Sequence, residues 1–193
     1  MLRYLLILFL LCFSLTLKAQ NNAVNFDIND YKHTINFIDH KIVFQVKPNK
    51  EPKSTDPIRK YHWYSNNRIQ ITQGGFSGKL LNGNYNDFYL SNNLKEKGVF
   101  KAGLKDGEWH IWAIDGVLME KVNYKEGILH GQFFKYDQLG NLLQEGNYKA
   151  GKINGIYKTY HGPDSVVISK YKEGLIENPS QSWIKQVFAK KHN

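Results

Sequence analysis

Aromatic residues and glycines recur along the chain with a period of about 24 residues, as the step from Gly83 to Gly107 shows. The same step leads on to Gly131 and Gly155. Each glycine is followed two and five residues later by aromatic residues: Tyr85 and Phe88, Trp109 and Trp112, Phe133 and Tyr136, Tyr157 and Tyr160. Agreement of chemical type across several columns indicates an internal repeat.

The repeat extends towards the N terminus, where its glycines are less regular. Matching columns there hold Tyr61, Tyr64, Gly74, Phe76 and Leu80, so about five units cover residues 59–178. The last unit is one residue shorter than the others, and the deletion falls within residues 162–169.

Each unit has the pattern of a β-hairpin. Its first strand reads Gly-x-aromatic-x-x-aromatic, a turn such as Asp115-Gly116 follows, and its second strand ends on an aromatic–lysine pair. Asn82-Gly83, Asp106-Gly107 and Asn154-Gly155 are typical hairpin-turn pairs, since these residues tolerate positive φ. His130 stands in the same column and is therefore expected to be a turn residue. The pattern predicts an all-β protein with an elongated, single-layer antiparallel sheet.

The segments that flank the repeats have patterns of their own. Residues 20–47 alternate apolar and polar positions, as at Val24, Phe26 and Ile28, which predicts a small N-terminal β cap or the start of the sheet. Residues 48–58 combine prolines with charges, a composition typical of a linker.

Residues 179–193 show helical spacing after a helix-start signal. Asn178 suits an N-cap and Pro179 a first helical position. The apolar residues that recur at helical spacing are Trp183, Ile184, Val187 and Phe188. We therefore expect a short C-terminal helix that covers the exposed edge of the sheet. A basic amphipathic membrane anchor, with Lys185, Lys190 and Lys191, is the alternative.

The first 19 residues have the pattern of a signal peptide. Arg3 precedes an apolar run over residues 5–17, and small Ala19 precedes Gln20, which predicts cleavage between Ala19 and Gln20. A retained N-terminal anchor is the alternative. Export places the protein in the periplasm, the outer envelope or outside the cell. Cleavage would also remove Cys12, the single cysteine, and leave no thiol for a disulfide, a nucleophile or a metal.

The repeat units resemble the MORN family. The segments that carry the likeness are "YKEGILHGQF", "GNYKAGKINGIY" and "FKAGLKDGEW", which look like the family core Y-x-G-x-W-K-x-G-x-x-H-G-x-G. They are more similar to the bacterial MORN-variant group that includes YwqK-type antitoxin-like proteins. The resemblance covers about 120 of the 193 residues. It implies an elongated single-layer sheet used for binding or scaffolding.

The polar residues show no pattern typical of a catalytic or metal-binding site. The seven histidines include no pair at a metal-binding spacing such as His-x-x-x-His. "GGFSGK" lacks both the glycine spacing and the Ser or Thr of a phosphate loop. We therefore expect no catalytic residue, no metal and no cofactor.

The aromatic and lysine columns are the candidate binding residues. Two aromatic positions three residues apart point to opposite faces of a strand. The interpretation as a binding surface centres on Trp109 and Trp112, together with Tyr136 and Tyr160, whereas the structural alternative is that cross-strand ring contacts hold the sheet together. The lysines that recur once per unit are Lys101, Lys125, Lys149 and Lys172.

Spacing and charge restrict the possible partners of the lysine column. Lysines on alternate strands lie about 10 Å apart, whereas phosphates along one DNA strand are about 3.4 Å apart, so a nucleic-acid partner is not expected. On an anionic membrane each of the four lysines would contribute about 1 kcal/mol, which corresponds to weak binding with a Kd of about 1 mM. Solvated lysines that protect exposed strands are the alternative.

These patterns favour an exported, non-enzymatic MORN-like protein that binds or scaffolds another protein or an envelope component. An antitoxin-like or immunity-like protein that neutralises a partner is one alternative, and a peripheral membrane-surface binder is another. From a different class, a glycan hydrolase of the envelope would need two carboxylates facing each other across a groove.

Overall fold

The computed structural model describes residues 31–48, 52, 54–162 and 164–177, and the backbone of residues 183–186. These residues form antiparallel β-structure in two sheets, one of thirteen strands and one of three. The part of the chain described contains no helix that is long and apolar enough to cross a membrane. The all-β prediction is confirmed, while the predicted signal peptide and its Ala19–Gln20 cleavage site lie outside the described residues.

The main sheet begins with a hairpin of β1 (Lys32–Asn36) and β2 (His40–Gln45). The repeat hairpins follow in spatial order: β6 (Gly83–Tyr89), β7 (Leu94–Lys101), β8 (Leu104–Trp112), β9 (Leu118–Lys125), β10 (Ile128–Tyr136), β11 (Leu142–Lys149), β13 (Gly155–Tyr160) and β14 (Ser165–Lys172). The short strands β12 (Lys152–Ile153) and β15 (Leu175–Ile176) pair with β11 and β14.

Two-residue turns connect successive hairpins. In the turn between β7 and β8, Ala102 and Gly103 have φ values of 47° and 77°. Two consecutive residues with positive φ match the twist of the flanking strands. The Asn-Gly and Asp-Gly pairs predicted to form hairpin turns do not form these turns. Asp106-Gly107 lies inside β8, where the pairing with β7 shifts register, because a glycine with positive φ also suits a β-bulge.

A second bulge explains why the last unit is one residue shorter. Asp87 pairs with Glu96 but Phe88 pairs with Leu94, so Lys95 has no partner in β6. Met119 and Leu143 occupy the same unpaired position in the next two hairpins. The β13–β14 ladder runs without a shift. The deletion in the last unit therefore removes the bulge residue and leaves the strands intact.

The most N-terminal repeat unit leaves the main sheet. Its strands β3 (Lys60–Ser65), β4 (Arg68–Gln73) and β5 (Lys79–Leu80) form the three-stranded sheet, because the β1–β2 hairpin already occupies the ladder beside β6. The small sheet packs on the main one, with the Tyr64 ring 5.3 Å from Phe44. The expectation of a single layer is wrong at this end, since the unit buries its apolar side against the main sheet.

The C-terminal end of the described chain also differs from the prediction. The predicted helix over 179–193 is replaced at residues 183–186 by β16 (Trp183–Gln186), which pairs antiparallel with β14. Strand β14 otherwise presents unpaired backbone groups along this stretch, and a strand satisfies them where a helix would not. The rest of the predicted helix lies outside the described residues.

His62 of β3 lies where the two sheets meet. Its ring is 4.7 Å from Phe100 of β7, and Nδ1 lies 3.3 Å from the carbonyl oxygen of Gly103. Burial lowers the pKa of His62 to about 4, and the charge of Lys105 acts in the same direction. Because an unfolded histidine has a pKa near 6.5, the contribution of His62 to stability is complete above pH 6.5 and is lost as the pH falls towards 4.

Lowering the pH from 7.5 to 5.0 is expected to cost about 2 kcal/mol of unfolding free energy through His62 alone. The His62→Phe variant keeps a ring beside Phe100 but cannot titrate, so its loss over the same interval should be smaller by that amount. Urea unfolding of both proteins at the two pH values measures the difference. Equal losses in the two proteins would show that His62 is not the titrating group.

Candidate functional site

Trp109 belongs to the hydrophobic core and not to an exposed binding surface. It is 1% exposed, and its ring lies 5.0 Å from Phe100 and 5.6 Å from Tyr85. The Lys105 ammonium sits 3.9 Å above the indole. The core column continues through Phe133. The prediction that Trp109 and Trp112 form one binding centre is therefore wrong for Trp109, because its side of the sheet is the packed one.

Trp112 lies on the other side of the main sheet, which we call the lysine face. It is defined by Trp112, Tyr136, Tyr160, Lys101, Lys125, Lys149 and Lys172. Strand alternation places Trp112 with His110, two residues earlier, and their rings stack 5.4 Å apart. Tyr136 and Tyr160 occupy the equivalent positions of β10 and β13, and all three rings are half-buried. They form an aromatic row at one end of the strands, one ring on every second strand.

The middle of the lysine face carries a row of charged and aromatic residues in direct register. In spatial order the row is Lys97, His110, Lys121, Phe134, Glu145 and Lys158. Glu145 accepts hydrogen bonds from Lys158 at 2.5 Å and from Tyr160 at 2.9 Å. The bond from Lys158 holds the pKa of the Glu145 carboxyl below its usual value. The hydrogen bond from Tyr160 therefore joins the aromatic row to this charged row.

The four lysines lie at the opposite end of the strands from the aromatic row. Lys125 is the last residue of β9, whereas Trp112 pairs with Leu118, the first residue of that strand. Seven residues of strand separate the two positions, a distance of about 20 Å. The predicted binding residues other than Trp109 therefore share one face but form two separate groups.

A hydrogen bond repeats beside the lysine column. The side chains of Asn82, Asp106 and Asn154 each accept at 3.3 Å from a backbone N–H, that of Ala102, Glu126 and Glu173 respectively. Each donor is the first residue of a two-residue turn and has positive φ. His130 occupies this column in the third glycine-led unit, and within the described residues it makes no such bond to Ala150. His130 therefore lies at a β-bulge within β10 and not in a hairpin turn.

A groove of about 280 Å³ opens at this irregular position. It is lined by His130, Gly131, Asn147, Tyr148, Lys149 and Asn154. A second groove of about 330 Å³ adjoins it and shares Lys149 and Asn154. Nothing in the sequence pattern distinguishes these grooves, because they form only where neighbouring hairpins meet.

Asp87 is the single buried charged side chain among the described residues, at 5% exposure. Its Oδ2 lies 3.4 Å from Lys95 Nζ, while its Oδ1 has no hydrogen-bond partner. Burial raises the pKa of Asp87, and the charge of Lys95 opposes that effect. The equivalent columns hold Ile111, Lys135 and Thr159, so the repeat pattern contained no signal for a carboxylate here. Within the described ranges, no three His, Cys, Asp or Glu residues group together as metal ligands.

Comparison with known proteins adds no relative of known function. No family model matches the chain, and no curated protein matches it. The likeness of its repeats to the MORN family thus depends on the sequence segments themselves, and a function must be derived from the two faces of the sheet.

Proposed function

We propose that the protein is an exported, non-enzymatic MORN-like repeat protein that binds a protein partner in the cell envelope through its lysine face. The observation that carries the proposal is the difference between the two faces of one sheet. Trp109 and Phe133 are buried in the core, each 1% exposed. Trp112, Tyr136 and Tyr160 form a row on the other face. Aromatic anchors beside charged groups are typical of protein-binding surfaces.

The distribution of charge favours a protein partner over a membrane surface. Asp106 forms an ion pair with Lys101 and neutralises the first lysine of the column. The three remaining lysines would contribute about 3 kcal/mol on an anionic membrane, which corresponds to a Kd weaker than about 1 mM. A protein that contacts the aromatic row and the charged row together would form more contacts with this face than a membrane held by three lysines.

Removing two rings of the aromatic row should abolish partner capture without unfolding the protein. We expect the Trp112→Ala/Tyr136→Ala variant to recover at least about tenfold less partner from envelope extracts, since buried aromatic anchors carry most of the binding energy of an interface. Affinity capture with quantitative mass spectrometry measures the recovery. The matched control is Phe37→Ala, which removes a 43% exposed ring outside the lysine face.

Anionic liposomes of phosphatidylglycerol, added to the same set of proteins, address the membrane alternative. We expect no co-sedimentation at physiological salt, where exposed charges are screened beyond about 8 Å. Equal recovery of every captured protein by wild type and double variant would contradict the proposed function.

A further inference from the structure

The first lysine of the column shows how this position binds a carboxylate. Asp106 pairs through Oδ2 with Lys101, and its Oδ1 accepts at 3.3 Å from the backbone N–H of Glu126. One carboxylate thus bridges an ammonium group and the free amide of a positive-φ turn. Hydrogen bonds of this kind, with a charged acceptor, are stronger than those between neutral groups.

The third glycine-led unit keeps the donors of this arrangement but lacks the carboxylate. His130 stands where Asp106 stands two strands earlier, and Ala150, with a φ of 50°, presents its amide as Glu126 does. The residue equivalent to Lys101 is Lys125, five residues before His130, whereas Lys149 precedes Ala150 and stands opposite His130, since Gly131 pairs with Tyr148. Among the described residues neither lysine has a carboxylate within ion-pair distance, unlike Lys101. Within the part of the chain that the structure describes, the Lys149 ammonium group and the Ala150 amide thus have no acceptor.

The space for an acceptor is present at the same place. The groove of about 280 Å³ has His130 on one side and Asn154 on the other, with Lys149 between them. Asn154 uses its Oδ1 to accept from Glu173, so its amide nitrogen remains a donor. A ring N–H of His130 adds another donor. The lining combines several hydrogen-bond donors with a positive charge, and a carboxylate fits that chemistry.

We propose that this groove is a carboxylate-binding site that takes a Glu or Asp side chain of the protein partner. The acidic side chain enters the groove beside His130, with Lys149 as its counter-charge and the Ala150 amide as its hydrogen-bond donor. The inference rests on the proposed function, because it names the chemistry that the lysine face recognises.

Titration of the ¹⁵N-labelled, exported protein with an end-blocked hexaglutamate peptide tests the site. We expect the Ala150 amide proton to move downfield in a saturable manner, and a hexaglutamine peptide to leave it unchanged. Lys149→Gln should lower the affinity for the hexaglutamate peptide at least about tenfold. Lys97→Gln, which removes another exposed positive charge from the same face, should weaken peptide binding less than twofold.

The internal competitor gives the sharper test. His130→Asp places a carboxylate in the column of Asp106, so this carboxylate should accept from the Ala150 amide, as Asp106 does from Glu126, and shift that proton without any peptide. Its affinity for hexaglutamate should fall at least about tenfold, and the variant should be at least as stable as wild type. Wild-type affinity in His130→Asp, or equal losses in Lys149→Gln and Lys97→Gln, would overturn the site.

These titrations use no natural partner and can fail independently of the capture experiment. If Trp112→Ala/Tyr136→Ala loses the partner while hexaglutamate binds His130→Asp normally, the carboxylate site is wrong and the binding face stands. If hexaglutamate binds as expected but capture is unaffected by the double variant, the site stands and the aromatic row is not the partner surface.

Discussion

Replacing Trp109 by alanine is expected to lower the free energy of unfolding by about 4 kcal/mol. The indole is 1% exposed and contacts Phe100, Tyr85 and Tyr124. Its removal takes away both the apolar area it buries and the ring contacts with three neighbouring strands, and it leaves a cavity at the centre of the sheet. Urea or guanidinium unfolding at 25 °C measures the loss.

Two matched variants separate packing from surface effects. Trp109→Phe should cost no more than about 1.5 kcal/mol, because Phe133 fills the equivalent position of the column and the indole Nε1 has no hydrogen-bond partner to lose. Trp112→Ala, on the lysine face, should cost about 1 kcal/mol or less. Similar losses for Trp109→Ala and Trp112→Ala would contradict the assignment of the two tryptophans to different roles.

Replacing Gly98 by alanine should destabilise the protein by about 3 kcal/mol, although the change adds a single methyl group. Gly98 pairs with Tyr85 and lies directly beneath the Trp109 ring, and a Cβ at this position would lie under 3.0 Å from several indole atoms. The ring cannot move away easily, because Phe100 and Lys105 pack around it.

The chain offers a close control for this substitution. Gly75 has no atom within 4 Å of an added Cβ and no positive φ, so Gly75→Ala should change stability by no more than about 0.5 kcal/mol. Combining Gly98→Ala with Trp109→Phe should recover at least about 1 kcal/mol relative to additivity, since the smaller ring leaves room for the methyl group. Additive effects would show that Gly98 is not constrained by the indole.

Several features of the fold could be predicted from the residues alone. The spacing of Gly83, Gly107, Gly131 and Gly155 located the first strands, and alternation along those strands placed Trp109 and Trp112 on opposite faces. The one-residue deletion in the last unit was also visible in the sequence, and pairing showed that it removes a bulge residue. These inferences succeeded because strand formation and side-chain alternation are local properties of the chain.

Other features required the strand order. The sequence predicts a hairpin turn at the column that holds His130, where the structure has a β-bulge, because Asn-Gly and Asp-Gly pairs suit either position. The groove beside Lys149 has no signature in one unit, since its two walls come from successive hairpins. Asp87 likewise stands at a position where the other units place unrelated residues.

Local pattern was therefore sufficient for the hairpins, their period and the two faces of each strand, because each depends on residues within one or two successive units of the sequence. It was insufficient for the placement of whole units. In the main sheet the β1–β2 hairpin pairs with β6, and residues 60–80 form a second sheet. At the other edge of the main sheet, β16 pairs with β14 as a further strand. Those choices depend on which exposed edge and which apolar face remain unsatisfied once the rest has folded. The same long-range packing makes Trp109 a core residue and leaves Trp112 on the face that we propose meets a partner.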